Sequence, residues 1–444
     1  MQKKLLAVAV AGVLAAPAVA FAQSSVTISG VLNFWMEGIK ASGSSAPVAA
    51  GASNPTGNVI SRTRVADASG SNIRFAVVED LGAGLSAIGQ VETAIFCGGD
   101  TRNNSAGAGY AGVGATANAP QSACGWGVRE TFVGLNSKSW GAIRLGTLNV
   151  HYTEHLSTDD FTTRTTTNHG IWTMRVGIMG QGPSFGSRYG NVLRYTSPTW
   201  SGFDFITNYA RPTDGAPGNP STAVPTLATA RRDQKNNMWQ VGLRYNQGPI
   251  SAGYSYFRDK DITLQATPYA FLTTAAPLTA PTAMGAVGAA MGLRSDLMHG
   301  SYKFPMGIKI GLVWDRSRAT VESGAVATDG NVKRTVWGIP LQYRTGSHEF
   351  AMNYAKAREV TGTIGTAGIL GSGTGGTMWT MGYAYHLSKR SNLHFGYHTI
   401  RNGNFGTSGA ANGGGAAYSY FANSAGNAGG ADPRSWTMGM YHAF

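Results

Sequence analysis

Residues 379–387 read Trp379-Thr380-Met381-Gly382-Tyr383-Ala384-Tyr385-His386-Leu387, large apolar side chains at every second position and smaller or more polar ones between. Successive side chains of a strand point to opposite faces, so this stretch has one apolar, aromatic-belted face and one polar face. The pattern recurs along the chain. Val26, Ile28, Leu32, Phe34 and Met36 alternate with Thr27, Ser29, Asn33 and Glu37, and Trp239, Val241, Leu243 and Tyr245 alternate with Gln240, Gly242, Arg244 and Asn246. Ile308, Ile310, Leu312 and Trp314 likewise face away from Lys309, Gly311 and Asp315. A wall that separates lipid from water needs strands of this kind, although a soluble sandwich would show the same alternation.

The two ends of the chain separate the barrel wall from the sandwich. Lys3 and Lys4 form a short positive segment, Leu5 to Ala20 is almost wholly apolar, and Ala20-Phe21-Ala22 fits a small-x-small cleavage pattern. Residues 1–22 therefore read as an export signal and 23–444 as one mature domain. The apolar run is shorter than the ~20 residues that a spanning helix needs, which disfavours a membrane anchor. At the other end Phe444 closes an alternating strand with an aromatic residue. Only 13% of residues are charged, 62 are glycine, and Leu-rich helical stripes are missing, so helical bundles and doubly wound sheets are disfavoured. Strands can cross hydrocarbon only as a closed barrel, because unpaired backbone groups are not tolerated there.

Strand-like segments fall near residues 25–38, 61–80, 84–97, 126–137, 141–148, 190–197, 202–211, 236–247, 249–259, 294–304, 307–318, 333–345, 347–358, 377–388, 390–401 and 433–444. The expectation is an all-β, 16-stranded antiparallel transmembrane barrel, an even count with both termini on the periplasmic side. Short turns such as Gly82-Ala83-Gly84 and Pro305-Met306-Gly307 alternate with long Gly, Ala, Thr and Ser-rich links such as 260–293 and 402–432, read as extracellular loops.

The opening Ser25-Val26-Thr27-Ile28-Ser29-Gly30-Val31 resembles the first strand of the general porins of Gram-negative bacteria, above all their β-proteobacterial branch. Arg62-Thr63-Arg64-Val65, Glu79-Asp80-Leu81-Gly82-Ala83-Gly84-Leu85, and Phe132-Val133-Gly134-Leu135 before Trp140-Gly141-Ala142-Ile143-Arg144-Leu145-Gly146 are similar to that branch's next strands. Asn191 to Pro198 resembles the strand that leaves its constriction loop, and Gly439, His442 and Phe444 resemble its closing signature. The resemblance implies a homotrimer in the outer membrane, in contact with lipid and lipopolysaccharide, with Phe444 as the terminal signal for the barrel assembly machinery. It also implies a third loop, about residues 149–189, folded into a water-filled pore for passive diffusion. That segment's length, about 40 residues, independently suggests a functional loop.

Selectivity in such a channel comes from charged side chains facing each other across the narrowing, where low-dielectric walls focus the field. Alternation with Ile73, Phe75 and Val77 places Arg74 inward, and Arg62 and Arg64 share that parity if no bulge intervenes. Trp126, Val128 and Phe132 taken as outward place Arg129 inward; Ile143 and Leu145 do the same for Arg144, and Arg194 joins this basic wall. Opposite, the inward loop offers Glu154, Asp159 and Asp160, together with Arg164 and Arg175. Without Lys3 and Lys4 the 35 basic residues fall to 33 against 22 acidic, a formal charge of +11. A positive lumen favours small anions; the competing explanation is that the excess sits in turns or at rims that bind lipid phosphate.

Cys97 and Cys124 bracket the second loop of an exported chain, so a disulfide closing roughly 28 residues is expected, with two free thiols as the alternative. His151, His155 and His169 have no compelling metal-ligand spacing, and no metal or cofactor is expected. Nucleic-acid binding is disfavoured because the aromatics follow a strand's lipid face. A hydrolase would need Ser and His to converge, for which His386 with Ser388 and His394 with Ser391 are the nearest material. A surface adhesin using the long loops and a substrate-specific pore compete with a general diffusion pore. Trp35 and Phe257 are the aromatics that alternation places inside, and His386, His394 and His398 are expected in the lumen as hydrated imidazoles.

Overall fold

A computed structural model describes residues 24–42, 59–67, 71–95, 126–127, 129–159, 171, 174–175, 188–211, 237–263, 290–322, 330–364, 375–403 and 432–444. Sixteen antiparallel strands close into a barrel. They are β1 (Ser25–Ser42), β2 (Val59–Asp67 and Asn72–Gly82), β3 (Leu85–Ala94), β4 (Thr131–Ser137), β5 (Gly141–Asn149), β6 (Arg188–Thr196), β7 (Phe203–Ala210) and β8 (Asn237–Gln247). The second half comprises β9 (Ile250–Thr263), β10 (Ala290–Lys303), β11 (Ile308–Glu322), β12 (Gly330–Thr345), β13 (His348–Ala357 and Thr361–Ile364), β14 (Gly376–His386), β15 (Ser391–Asn402) and β16 (Asp432–Ala443).

Two strands are interrupted. Both segments of β2 pair with β1, and the register moves from Phe34 opposite Asp67 to Val31 opposite Asn72, a bulge of two extra residues. Ser71 tidies the break, its hydroxyl accepting the Asn33 N–H at 2.9 Å. Because the slip is even, parity survives: position 64 is in register with Glu37, and Arg74 lies opposite Ser29 on the face shared by the buried Asn33 and Trp35. The segments of β13 both pair with β12.

Closure is by β1 on β16, in register from Val31 opposite Ala443 to Ser42 opposite Asp432. Phe444 prolongs the seam with a reciprocal backbone pair to Gly30, at 3.0 and 3.1 Å. A Cβ on Gly30 would stand 2.6 Å from the Phe444 ring, so the terminal aromatic seals the joint only where the opposite residue has no side chain.

Large apolar side chains cover the outer face, and the buried polar ones are on the inner face. Val133, Leu145, Leu312, Met381 and Met438 are all more than half exposed, whereas Asn33, Asp315, Glu349 and Asn353 are buried. An apolar belt of this extent is untenable in water and is what hydrocarbon requires. One expectation is corrected in β4. Its outward residues are Val133 and Leu135, so Phe132 faces inward, where its ring lies 5.0 Å from the Arg144 guanidinium carbon. The strand begins only at Thr131; Trp126 is in a turn and packs its ring on Phe75. The period-two reading ran through a turn that resets it.

Candidate functional site

The segment after β5 folds into the barrel. Val150 leads into a short 3-10 helix, His151–Ser157, whose His151, Tyr152 and His155 are buried. The helix lies along the inner faces of β8 to β11. The His151 N–H donates to Gln240 on β8 at 2.9 Å, its ring nitrogen Nδ1 pairs with the Ser255 hydroxyl on β9 at 2.9 Å, and the ring stacks on Phe257. Thr158 pairs with His299 on β10 at 3.0 Å, and Lys309 on β11 donates to the Ser157 carbonyl at 2.7 Å.

Beyond the helix the loop is riveted by Arg175, which is fully buried. Its Nε and Nη2 donate to Asp315 on β11 at 3.2 and 3.1 Å, its Nη1 donates to the Tyr152 carbonyl at 2.9 Å, and its guanidinium lies 4.5 Å from the Tyr152 ring centre. The Ser295 hydroxyl donates to the same oxygen of Asp315 and the Ser317 hydroxyl to the other. Arg334 on β12 donates to the Arg175 carbonyl. Tyr152, Ile171 and Met174 pack with inward Phe257, Leu297 and Val336 into an apolar floor beneath the loop. That floor is absent from the sequence reading, which treats inward positions as wet.

Burial of His151 and the nearby Arg175 cation depress its imidazole from 6.5 to about 3, against the opposing pull of Asp315. His155 shifts the same way for the same leading causes, burial and Arg175. Both rings are neutral at pH 7.

The loop acids do not stand free across the lumen. Glu154 accepts from Gln240 at 3.3 Å and lies 3.8 Å from Arg244 on β8. Asp159 is buried, accepting from Asn353 on β13 at 2.8 Å and from the Ile171 N–H at 3.5 Å. Asp160 and Arg164 lie outside the described residues, as do Cys97 and Cys124.

The arginines divide into paired and unpaired. Arg129, in the bend before β4, forms an ion pair with Glu92 on β3. Arg194 on β6 donates to Asn208 at 2.7 Å and to the Asn149 carbonyl, with Glu130 at 3.8 Å. Arg74 is exposed to the lumen, and Arg144 on β5 is half-buried beside Phe132 and in register with Arg194. Among the described residues neither Arg74 nor Arg144 forms an ion pair or a hydrogen bond. The positions of Arg62 and Arg64 fall on the lumen parity of β2.

Three further groups belong to the site. Arg244 pairs with Asp204 on β7 at 2.6 Å, and Glu130 accepts the Asn149 N–H at 2.9 Å. With Glu154 and Arg194 they line a cavity of about 340 Å³ beside the 3-10 helix. Arg244 was recognisable from its alternation with Val241 and Leu243; Asp204 and Glu130 had no sequence signal beyond their charge. His394 and His398 are buried rather than hydrated, paired with Asn33 at 2.9 Å and Thr380 at 3.3 Å, while His386 pairs with Glu349 at 2.5 Å. Ser388 caps a turn by accepting from Arg390 and Ser391, and Ser391 pairs with His442, so neither serine meets the histidine expected of a hydrolase.

The family model described as Gram-negative porin matches residues 7–405. An outer membrane porin protein of Bordetella pertussis is 27% identical over 333 residues, covering 71% of this chain and 73% of that one. The anion-selective porin from Comamonas acidovorans superposes with a TM-score of 0.62 at 19% identity, over 95% of this chain and all of that one (100%). OmpT of Vibrio cholerae, in its trimer form, superposes at 0.53 with 12% identity, over 95% of this chain and 99% of that one. A barrel with an apolar exterior, a loop pinned inside it and a family match along most of its length have one reading: the chain belongs to the Gram-negative porin family, an outer-membrane channel through which small hydrophilic solutes diffuse.

Proposed function

We propose that the channel prefers anions, that Arg74 and Arg144 are the main source of that preference, and that Arg62, Arg64, Arg129 and Arg194 complete a basic wall around the narrowing. The observation that carries this reading is the asymmetry of pairing. Glu154 and Asp159 are held by wall side chains, whereas Arg74 and Arg144 have no carboxylate within ion-pair reach among the described residues. A solute passing the loop therefore meets uncompensated positive charge, in a lumen where neighbouring protein lowers the dielectric. The Comamonas porin, which shares this fold, is named as anion-selective. The chain works as a homotrimer in contact with outer-membrane lipid, a reading supported by the trimer form of the Vibrio protein.

Reversal potential in a potassium chloride gradient across a planar bilayer tests the selectivity. Wild type is expected to reverse at the anion side of zero, and the Arg74→Ala, Arg144→Ala double variant closer to zero. A wild type that prefers cations overturns the reading. A double variant with unchanged potential keeps the channel and removes these two residues from its filter.

A further inference from the structure

Gln240 lies on the inner face of β8 and is fully buried. Its Oε1 accepts the His151 N–H at 2.9 Å and an Asn208 Nδ2–H from β7 at 2.6 Å. Its Nε2 donates to the Ser255 hydroxyl on β9 at 3.0 Å and to the Glu154 carboxylate at 3.3 Å. A side-chain amide has two acceptor lone pairs and two donor hydrogens, so this one is used to capacity. Its orientation follows from its partners: a backbone N–H can only donate and an ionised carboxylate can only accept, so the oxygen and nitrogen of Gln240 cannot exchange places. Asn208 is fixed in the same way, because its Oδ1 accepts from Arg194 Nε at 2.7 Å and its Nδ2 is left to face Gln240.

One side chain thus ties three adjacent strands to the inward loop. Val150, which precedes the 3-10 helix, provides no side-chain cap, and the first N–H of the helix, that of His151, is instead satisfied from the wall by Gln240. The second tie concerns charge. Among the described residues Gln240 is the only hydrogen-bond donor to the Glu154 carboxylate, since the Arg244 guanidinium stands 3.8 Å away. The Glu154 side chain is only 7% exposed. A carboxylate so withdrawn from water is costly once its donor is removed, and the relief open to it is rotation into the water of the cavity that it lines with Glu130 and Arg194.

We propose that Gln240 is a positioning residue for selectivity: it holds the Glu154 carboxylate against the wall and out of the path of ions. Without that hold the loop presents a free negative charge to the lumen, where low-dielectric surroundings magnify its effect on a passing anion. The inference rests on the anion-preference reading and deepens it, by naming the side chain that keeps the loop acid from offsetting the arginines.

Planar-bilayer reversal potentials in a potassium chloride gradient provide the test, on wild type, Gln240→Met, Glu154→Gln and the double variant. Methionine keeps the length of glutamine and removes its hydrogen bonds. Gln240→Met is expected to lower the ratio of chloride to potassium permeability at least about twofold. In the Glu154→Gln background the same substitution should leave the ratio nearly unchanged, because no carboxylate remains to be released. An unchanged ratio in Gln240→Met overturns the proposal even if conductance or noise alters, since a merely structural role predicts that pattern. An equal fall in both backgrounds also overturns it, because the effect would not pass through Glu154. Should Gln240→Met fail to fold, Gln240→Glu carries the test: it retains both acceptors and sets a carboxylate against Glu154, so its ratio should fall further in the wild-type background than beside Glu154→Gln, and equal falls overturn the proposal. The sign of the wild-type potential tests the anion preference by itself, whereas this inference is read from differences between variants, so the two fail separately.

Discussion

Arg175 is the residue on which the narrowing depends, because it joins two parts of the loop to the wall through one guanidinium. Its partner Asp315 is fully buried, and removing one member of a buried pair strands the other charge at a cost of about 3 to 5 kcal/mol. Arg175→Ala is expected to free the loop, seen as noisier single-channel current and faster proteolysis within the loop, and adding Asp315→Asn should restore much of the quiet state. The same cluster responds to pH. With His151 at about 3 in the folded loop and near 6.5 when released, the released state binds more protons between those values. Loop anchoring is therefore complete above about pH 6.5 and weakens as pH falls towards 3, His155 adding to the trend. The groups that face these rings are Arg175, Asp315, His299 and Tyr152. Channel noise at pH 4 should exceed that at pH 7, and a His151→Gln variant should show less of the difference.

At the scale of elements, the loop and the wall fit because glycines on the strands leave room for loop side chains. A Cβ on Gly311 of β11 would stand 2.5 Å from Thr158, and one on Gly338 of β12 would stand 2.6 Å from Ile171. Both distances are too short to be tolerated without displacement, and overpacking of this kind costs about 1 to 3 kcal/mol. Gly338→Ala should thus shift the loop into the lumen and lower the conductance while the barrel remains folded. Gly89→Ala serves as the control, since its Cβ would meet only the Phe132 carbonyl, at 3.8 Å.

At the scale of the whole molecule, hydrogen bonding around a closed ring leaves no free edge and lets the apolar set face lipid. If the assembly is a homotrimer, planar-bilayer records should close in three equal steps, and the purified protein should have three times the monomer mass by light scattering before heating and the monomer mass after. A single closure step with a monomer mass in the unheated sample would rule out the trimer.

Much of the fold was legible in the chain, because a barrel wall is written as local alternation: the strands near Trp239, Ile308 and Trp379 could be read directly from period two. Alternation also placed Arg74, Arg144 and Arg194 inward. It failed at Phe132, where a turn at Trp126–Gly127 resets the parity, and local sequence carries no mark of such a reset. Charge alone suggested an acidic loop facing a basic wall. Whether Glu154 and Asp159 remain free or are spent on Gln240, Arg244 and Asn353 depends on residues from 86 to 194 positions away along the chain, brought close by closure. The sequence by itself thus determined which side of the wall most strand residues point to, the reset at Phe132 apart, since that follows from the geometry of a single strand. Only the tertiary structure decided which inward charges are neutralised, because ion pairing requires strands distant in the chain to meet in register across the inner surface.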